Sequence, residues 1–176
     1  TGPREALAPH RRPGELASMD LGGFYLLLHV LGFVLWIGVS LSLAFVTGHA
    51  AKAGDPRIIA FAYRTASRVL RTVGLTGMLL TVGAGIALTA ARDYAFFRPS
   101  PDHWLFQMQV LGILAFLVGV LYQIPLSDRL ARAAEASAEA GEESAAFGKY
   151  RRRYARVSSA IGLVLILILA LGTLRP

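Results

Sequence analysis

The chain has 176 residues, of which 55% are hydrophobic and 16% charged, whereas ordinary globular domains carry roughly 45–50% apolar and about 25% charged residues. It contains no cysteine, which excludes disulfides, thiolate-bound metals and iron–sulfur clusters. The net charge of +7 is distributed over segments between long apolar runs, so we predict no nucleic-acid partner.

Residues 1–20 form a polar leader rich in proline and arginine, and Met19 lies just before the first apolar run. We interpret this leader as an addition made for expression or as an upstream reading of the start, and we assign it no function. The run that follows is about 26 residues long, whereas the apolar core of a signal peptide has roughly 7–15. We therefore predict that it is retained, and that residues 21–176 form one domain.

Four apolar runs have the length of a membrane-spanning helix, which needs roughly 20 residues to cross a hydrocarbon core about 30 Å thick. The predicted spans are residues 21–46, 69–91, 104–125 and 157–174. The period-2 alternation of a membrane β-barrel is absent, and only helices or closed barrels satisfy their backbone groups in lipid. The sequence therefore predicts an all-α integral membrane four-helix bundle that contacts the lipid bilayer. Small residues in span two favour a tight core of spans one to three, with the fourth more peripheral.

The loops differ in charge. Most cations lie between spans one and two and between spans three and four, so these loops are predicted to be cytoplasmic and both termini to lie outside the cytoplasm. Residues 127–156 are rich in Ala, Glu and Arg and predict a cytoplasmic helical loop, broken at Gly141 and Gly148. Asp128 and Arg132 have the spacing of an ion pair within one helix. The basic cluster at 149–156 is interpreted as a topology anchor at anionic headgroups, or as a specific lipid, nucleic-acid or protein site.

His29 is the residue that most strongly indicates a function. It lies about 10–12 Å below the outer surface, and an ionisable side chain at that depth is costly enough to mark a functional site. Gly32 and Trp36 share its helical face, and Gly32 is expected to let a flat ligand approach the backbone. Haem is the natural candidate for a ligand, because neutral imidazole is its usual axial ligand. The alternative is a structural histidine bonded to a neighbouring helix.

Two residues near the entry to span three are added to this predicted site. His103 is either a second axial ligand or proton-transfer partner, or a solvated interfacial histidine. Arg98, like Arg92, is on the side of His29 and is either a partner for propionates or another anion, or solvated. His49 lies about 30 Å along the helix from His29, so the two cannot bind one metal.

These residues carry a family resemblance. The segments Leu28-His29-Val30 and Trp36-Ile37-Gly38 resemble the first helix of the HemJ-type protoporphyrinogen IX oxidases, of the CopD-like copper-resistance domains and of a related bacterial family of unknown function. The entry to span three and the end of the last helix agree as well, so the resemblance covers roughly residues 21–176. It implies a bacterial inner-membrane protein that binds haem b through His29, with His49 near a second histidine of the pattern.

The resemblance is incomplete in the third span. HemJ-type proteins have a lysine shortly after its Trp-Leu and a Tyr-His pair near its end, where this chain has Gln107-Met108-Gln109 and Tyr122-Gln123. Both missing residues are tied to the oxidase's site, so the fold and the haem pocket are implied more strongly than oxidase activity.

Our leading hypothesis is a membrane haem protein that is redox-active on a tetrapyrrole, with enzymatic activity left open. The alternative is a non-enzymatic membrane transport or interaction subunit. Copper uptake ranks third, because it needs more ligands than His29 and His103 provide. Assembly into homo-oligomers is compatible with the sequence.

Overall fold

Four long helical segments, which we call rods, make up the part of the chain that the structure describes. The computed structural model describes residues 13–98 and 103–174, apart from the side chains of residues 13–20 and 103. The first rod is α1 (Pro13–Ala53), and the second is α2 (Pro56–Val69), a π-helical turn (Leu70–Gly74) and α3 (Leu75–Ala91). The third is α4 (His103–Val118), a π-helical turn (Gly119–Gln123) and α5 (Ile124–Ala140), and the fourth is α6 (Ala145–Leu174). These ranges contain no strand, and all four rods are long and apolar enough to cross a membrane, so the predicted all-α membrane fold is confirmed.

The rods are longer than the predicted spans. Each predicted span falls inside one rod, and most of the additional turns gather at the end that carries the α1–α2 and α5–α6 connections. We call this end, residues 47–68 and 127–156, the basic end. The α3–α4 connection lies at the opposite end. The helical loop predicted over 127–156 is formed by most of α5 and the first turns of α6.

Short polar turns connect the rods at the basic end. Gly54 adopts a left-handed φ of +72°, and the Asp55 side chain caps α2 by accepting a hydrogen bond from the Arg57 amide at 2.8 Å. Pro56 begins α2, where the missing N–H costs no helical hydrogen bond. Between α5 and α6, Gly141 has a φ of +74°, which ends α5. The break predicted at Gly148 was wrong: this glycine is buried within α6.

The closest helix crossing lies between α1 and α3. A Cβ added to Gly32 would lie 2.5 Å from the Thr81 amide nitrogen, and one added to Gly77 would lie 2.8 Å from the Trp36 amide nitrogen. Each glycine thus admits the backbone of the other helix. Apolar side chains give no net solvent advantage between helices in lipid, so this close packing is what stabilises the pair.

The remaining pairing differs from the prediction. α4 packs mainly on α6, and α2 packs on α5, whereas α3 and α4 touch only slightly. The predicted tight core of spans one to three is therefore wrong: spans one and two form one pair, and spans three and four form another. Gly172 of α6 contributes to the second pair, because the absence of a side chain there lets α6 approach the Met108 side chain of α4. The fourth span is nevertheless the least buried of the four.

The basic end has its own small core. Ala60 and Tyr63 of α2, Leu130 and Ala134 of α5, and Phe147 of α6 are all buried against one another. The Tyr63 and Phe147 rings meet edge to face, with centroids 5.4 Å apart. The rods therefore stay associated beyond the predicted membrane spans.

An ion pair links α5 to the π-helical turn of the second rod. The Asp128 carboxylate contacts the Arg71 guanidinium with one oxygen and accepts a hydrogen bond from the Ser67 hydroxyl with the other. The Asp128 side chain is 19% exposed. The predicted pairing of Asp128 with Arg132 is not seen, because the carboxylate faces α2.

Replacing Asp128 with asparagine is expected to lower the free energy of unfolding by about 1–2 kcal/mol, because a charge-assisted hydrogen bond and an ion pair are lost together. Glu135→Gln is the matched control on α5: Glu135 pairs with Arg64 at 3.5 Å, and both side chains are exposed. Loss of this ion pair is expected to lower the free energy of unfolding by only about 0–1 kcal/mol. Thermal unfolding in detergent measures both variants, and equal midpoints would contradict a structural role for Asp128.

Candidate cofactor site

His29 is held by the neighbouring helix through one ring nitrogen. Its Nδ1 lies 2.6 Å from the backbone carbonyl oxygen of Thr81 on α3. A carbonyl oxygen only accepts hydrogen bonds, so Nδ1 carries the proton in the neutral ring and Nε2 keeps its lone pair. Gly85 makes room for this arrangement, since a Cβ there would lie 2.9 Å from Nδ1. The imidazole is therefore fixed in orientation and presents Nε2 as its basic nitrogen.

A cavity of about 390 Å³ adjoins this imidazole. Its walls come from all four rods, near the α3–α4 connection, and are mostly apolar. They include Phe33 of α1, Ile86 of α3, Trp104 and Ile113 of α4, and Leu165 of α6. The cavity lies between the α1–α3 pair and the α4–α6 pair, where α3 and α4 touch only slightly. Its volume falls within the range of small-molecule sites, roughly 300–1,000 Å³.

Two buried N–H donors of residues that line the cavity lack an acceptor among the described residues. They are Nε1 of Trp36, whose residue is 1% exposed, and Nε2 of Gln109. The Gln109 amide is oriented by the Phe97 amide, which donates to its Oε1 at 2.8 Å. Arg92 also lines the cavity and lies beside Gly22 at the same end of the bundle. An unpartnered buried donor costs about 1–3 kcal/mol. Because both nitrogens have almost no accessible surface, they lie behind the cavity wall and not on its surface.

Residues 24–176 match the family described as "Predicted integral membrane protein (DUF2269)". The chain belongs to the DUF2269 family. The matched segment runs from early in the first span to the end of the chain, so this DUF2269 protein is an integral membrane protein. No curated protein and no solved structure matches the chain.

In this DUF2269 protein, two of the predicted site residues meet at the cavity. His29 and Trp36 both line it, one above the other on α1. The role predicted for Gly32 was wrong: the space beside it is filled by the backbone of α3, so it admits a helix and not a ligand. Gly85 of α3 likewise admits a protein group, the His29 imidazole.

The two arginines predicted near this site, as anion partners or as solvated side chains, lie differently. Arg98 is exposed and is not among the residues that line the cavity, whereas Arg92 is. Arg92 follows α3 directly, so the end of that helix brings it to the cavity, and Arg98 lies beyond in the loop. The side chain of His103, predicted as a second ligand, lies outside the described residues, although its neighbour Trp104 lines the cavity.

The other histidine of α1 lies away from this site. His49 is exposed near the basic end, and its ring lies 4.6 Å from that of Phe45. Among the described side chains, which do not include that of His103, no three His, Asp or Glu residues cluster as metal ligands.

Sequence reasoning missed the importance of Gly85 and Gln109. Gly85 belongs to a stripe of small residues that predicts helix packing, and nothing in the stripe distinguishes a glycine facing an imidazole from one facing backbone. Gln109 is one of three glutamines in span three, with Gln107 and Gln123, and its sequence position does not distinguish it from the other two. Its orientation depends on the α3–α4 connection, which folds the Phe97 amide onto it.

Proposed function

We propose that this DUF2269 protein binds haem b, or a related tetrapyrrole, with His29 Nε2 as the axial ligand. The observation that carries the proposal is the hydrogen bond from His29 Nδ1 to the Thr81 carbonyl at the wall of the cavity. Histidines that bind metals usually donate their other ring N–H to a carbonyl or carboxylate, which sets the tautomer and raises the basicity of the ligating nitrogen.

The residues around the cavity fit such a group. Arg92 would bind a carboxylate of this group at the α3–α4 end, since a guanidinium is suited to carboxylate oxygens. The apolar walls would exclude water and bury the ring. Haem iron, when bound, exchanges single electrons, and its potential is tuned by its axial ligand and the dielectric of its pocket.

The resemblance to HemJ-type proteins is independent support, because it places the haem-linked histidine of that family at His29. The proposal extends to redox activity of the protein on a tetrapyrrole. The third span lacks the lysine and histidine tied to the oxidase's site, and Gln123 is buried outside the cavity, where its Nε2 donates to Ser158 at 3.1 Å. We place the protein in a bacterial inner membrane, with the cavity towards the outer side.

The experiment is an absorbance spectrum of the detergent-purified full chain, as isolated and after titration with haemin. A Soret band and stoichiometric haem are expected for the native chain, and His29→Ala is expected to abolish both. His49→Ala is the matched control, because it removes the other histidine of α1 and should leave the spectrum unchanged. A native chain that stays colourless with haemin, or equal spectra for the two variants, would contradict the proposal.

A second candidate is a non-enzymatic membrane transport or interaction subunit. It is favoured by the same hydrogen bond, because His29 is satisfied by α3 without any ligand. This candidate requires His29→Ala to change stability without changing any spectrum. Copper uptake is the weakest candidate, given the sparse donors around His29 among the described residues.

A further inference from the structure

A small cleft at the basic end brings two arginines together. It measures about 90 Å³ and is lined by Leu121, Tyr122, Pro125 and Leu126 of the third rod, with Arg129 of α5 and Arg153 of α6. The Arg153 guanidinium carbon lies 5.1 Å from the centre of the Tyr122 ring, which holds this cation over an aromatic face.

Neither arginine makes an ion pair with a carboxylate among the described residues. Asp128 precedes Arg129 in the sequence, but its carboxylate faces α2, where Arg71 and Ser67 bind it. Arg129 is turned about 100° from Asp128 around the helix. Two cations from different rods thus converge on one cleft, and no carboxylate in the described ranges pairs with either of them.

The cleft lies where both rods change from apolar to polar sequence. Leu121 and Tyr122 are near the end of the predicted span 104–125, while Arg153 lies just before the predicted span 157–174. An exposed apolar stripe continues from the cleft along the third rod, because Leu114, Leu117 and Leu121 are 55%, 44% and 70% exposed. The cations are therefore at the level of headgroups, and the leucines are at the level of acyl chains.

We infer that this cleft binds the phosphodiester headgroup of an anionic diacyl phospholipid, with one acyl chain along the leucine stripe. Guanidinium groups bind phosphate oxygens in a bidentate manner, and basic pockets between membrane helices bind anionic headgroups. A headgroup with a net negative charge is expected to bind more tightly, because the phosphate of a zwitterionic lipid is already paired with a cationic group of the same lipid. This site is separate from the His29 cavity and does not depend on what that cavity binds.

The test is native mass spectrometry of the full chain in detergent, titrated with phosphatidylglycerol or phosphatidylcholine of matched acyl chains. Phosphatidylglycerol is expected to bind more tightly than phosphatidylcholine. The R129Q/R153Q variant is expected to bind phosphatidylglycerol roughly 10- to 30-fold more weakly than the native chain. R132Q/R152Q is the matched control: it removes the same charge from α5 and α6 at exposed positions outside the cleft. It should change binding by about twofold or less.

Three results would overturn the inference. They are equal binding of the two lipids, an equal loss in the two double variants, and displacement of phosphatidylglycerol by millimolar inorganic phosphate, which would indicate a site for a soluble anion. The R129K/R153K variant separates the contribution of charge from that of geometry. An intermediate loss of phosphatidylglycerol binding is expected, because lysine keeps the charge but not the planar contact with Tyr122. Retention of the same helical circular dichroism by all variants shows that the losses are local.

Discussion

Replacing Gly32 with alanine is expected to lower the thermal unfolding midpoint of this protein by roughly 6–12 °C, which corresponds to about 3 kcal/mol. The added methyl group would lie 2.5 Å from the Thr81 amide nitrogen and 2.9 Å from the Gly77 carbonyl oxygen. Both are backbone atoms of α3, so neither can rotate away. The two helices would have to separate at their closest crossing, with loss of contacts along the whole pair.

Gly38→Ala is the matched control for this prediction. Gly38 lies on the same helix, and a Cβ there would meet no atom within 4 Å. Alanine is the better helix former by about 1 kcal/mol, so this variant is expected to match or exceed the native midpoint. Thermal unfolding in detergent, followed by circular dichroism, measures both. A Gly32→Ala midpoint as high as that of Gly38→Ala would mean that α1 and α3 do not cross at this residue.

The helices themselves could be predicted from the sequence, because hydrophobic length and backbone satisfaction in lipid act locally along the chain. The partner of each helix could not. The small residues of α3 indicate a close neighbour, but the pattern does not say which helix supplies it. Span three therefore seemed to join spans one and two, whereas Gly172 and Met108 bring α4 onto α6.

Only part of the candidate site could be predicted, because the sequence does not say which helix lies beside each residue. His29 and Trp36 share a helical face, so their common exposure to the bundle interior follows from the period of the helix. Gly32 shares that face as well and was assigned to a ligand, yet its space belongs to α3. Arg92 and Gln109 reach the cavity only through the end of α3 and the α3–α4 connection, and sequence spacing does not determine those positions.

The orientation of His29 depends on Gly85, and this dependence predicts a second large effect. Gly85→Ala would place a methyl group 2.9 Å from His29 Nδ1 and 3.1 Å from its Cε1. Unlike the backbone at Gly32, an imidazole can swing aside, so the fold is expected to survive with a loss of about 1 kcal/mol for the broken hydrogen bond. Under the haem proposal, haem affinity is expected to fall about 10- to 100-fold, as when a ligating histidine loses its orienting partner.

Two measurements separate the orientation of the ring from haem binding. Nitrogen-15 spectra of labelled histidine report the tautomer: His29 is expected to carry its proton on Nδ1 in the native chain, and Gly85→Ala is expected to abolish this preference. Haemin titration of the same samples then reports the affinity. Gly83→Ala is the control, because Gly83 is on the same helix and a Cβ there meets no atom within 4 Å.

The two glycine substitutions distinguish a packing contact from a ligand-orienting one. Gly32→Ala acts on backbone and should unfold the protein at lower temperature, with or without haemin. Gly85→Ala acts on one side chain and should change the histidine tautomer and haem affinity while lowering the midpoint by only about 2–4 °C. A normal tautomer signal in Gly85→Ala would contradict the contact between Gly85 and His29. A changed tautomer with unchanged haem affinity would keep that contact but remove His29 from the role of axial ligand.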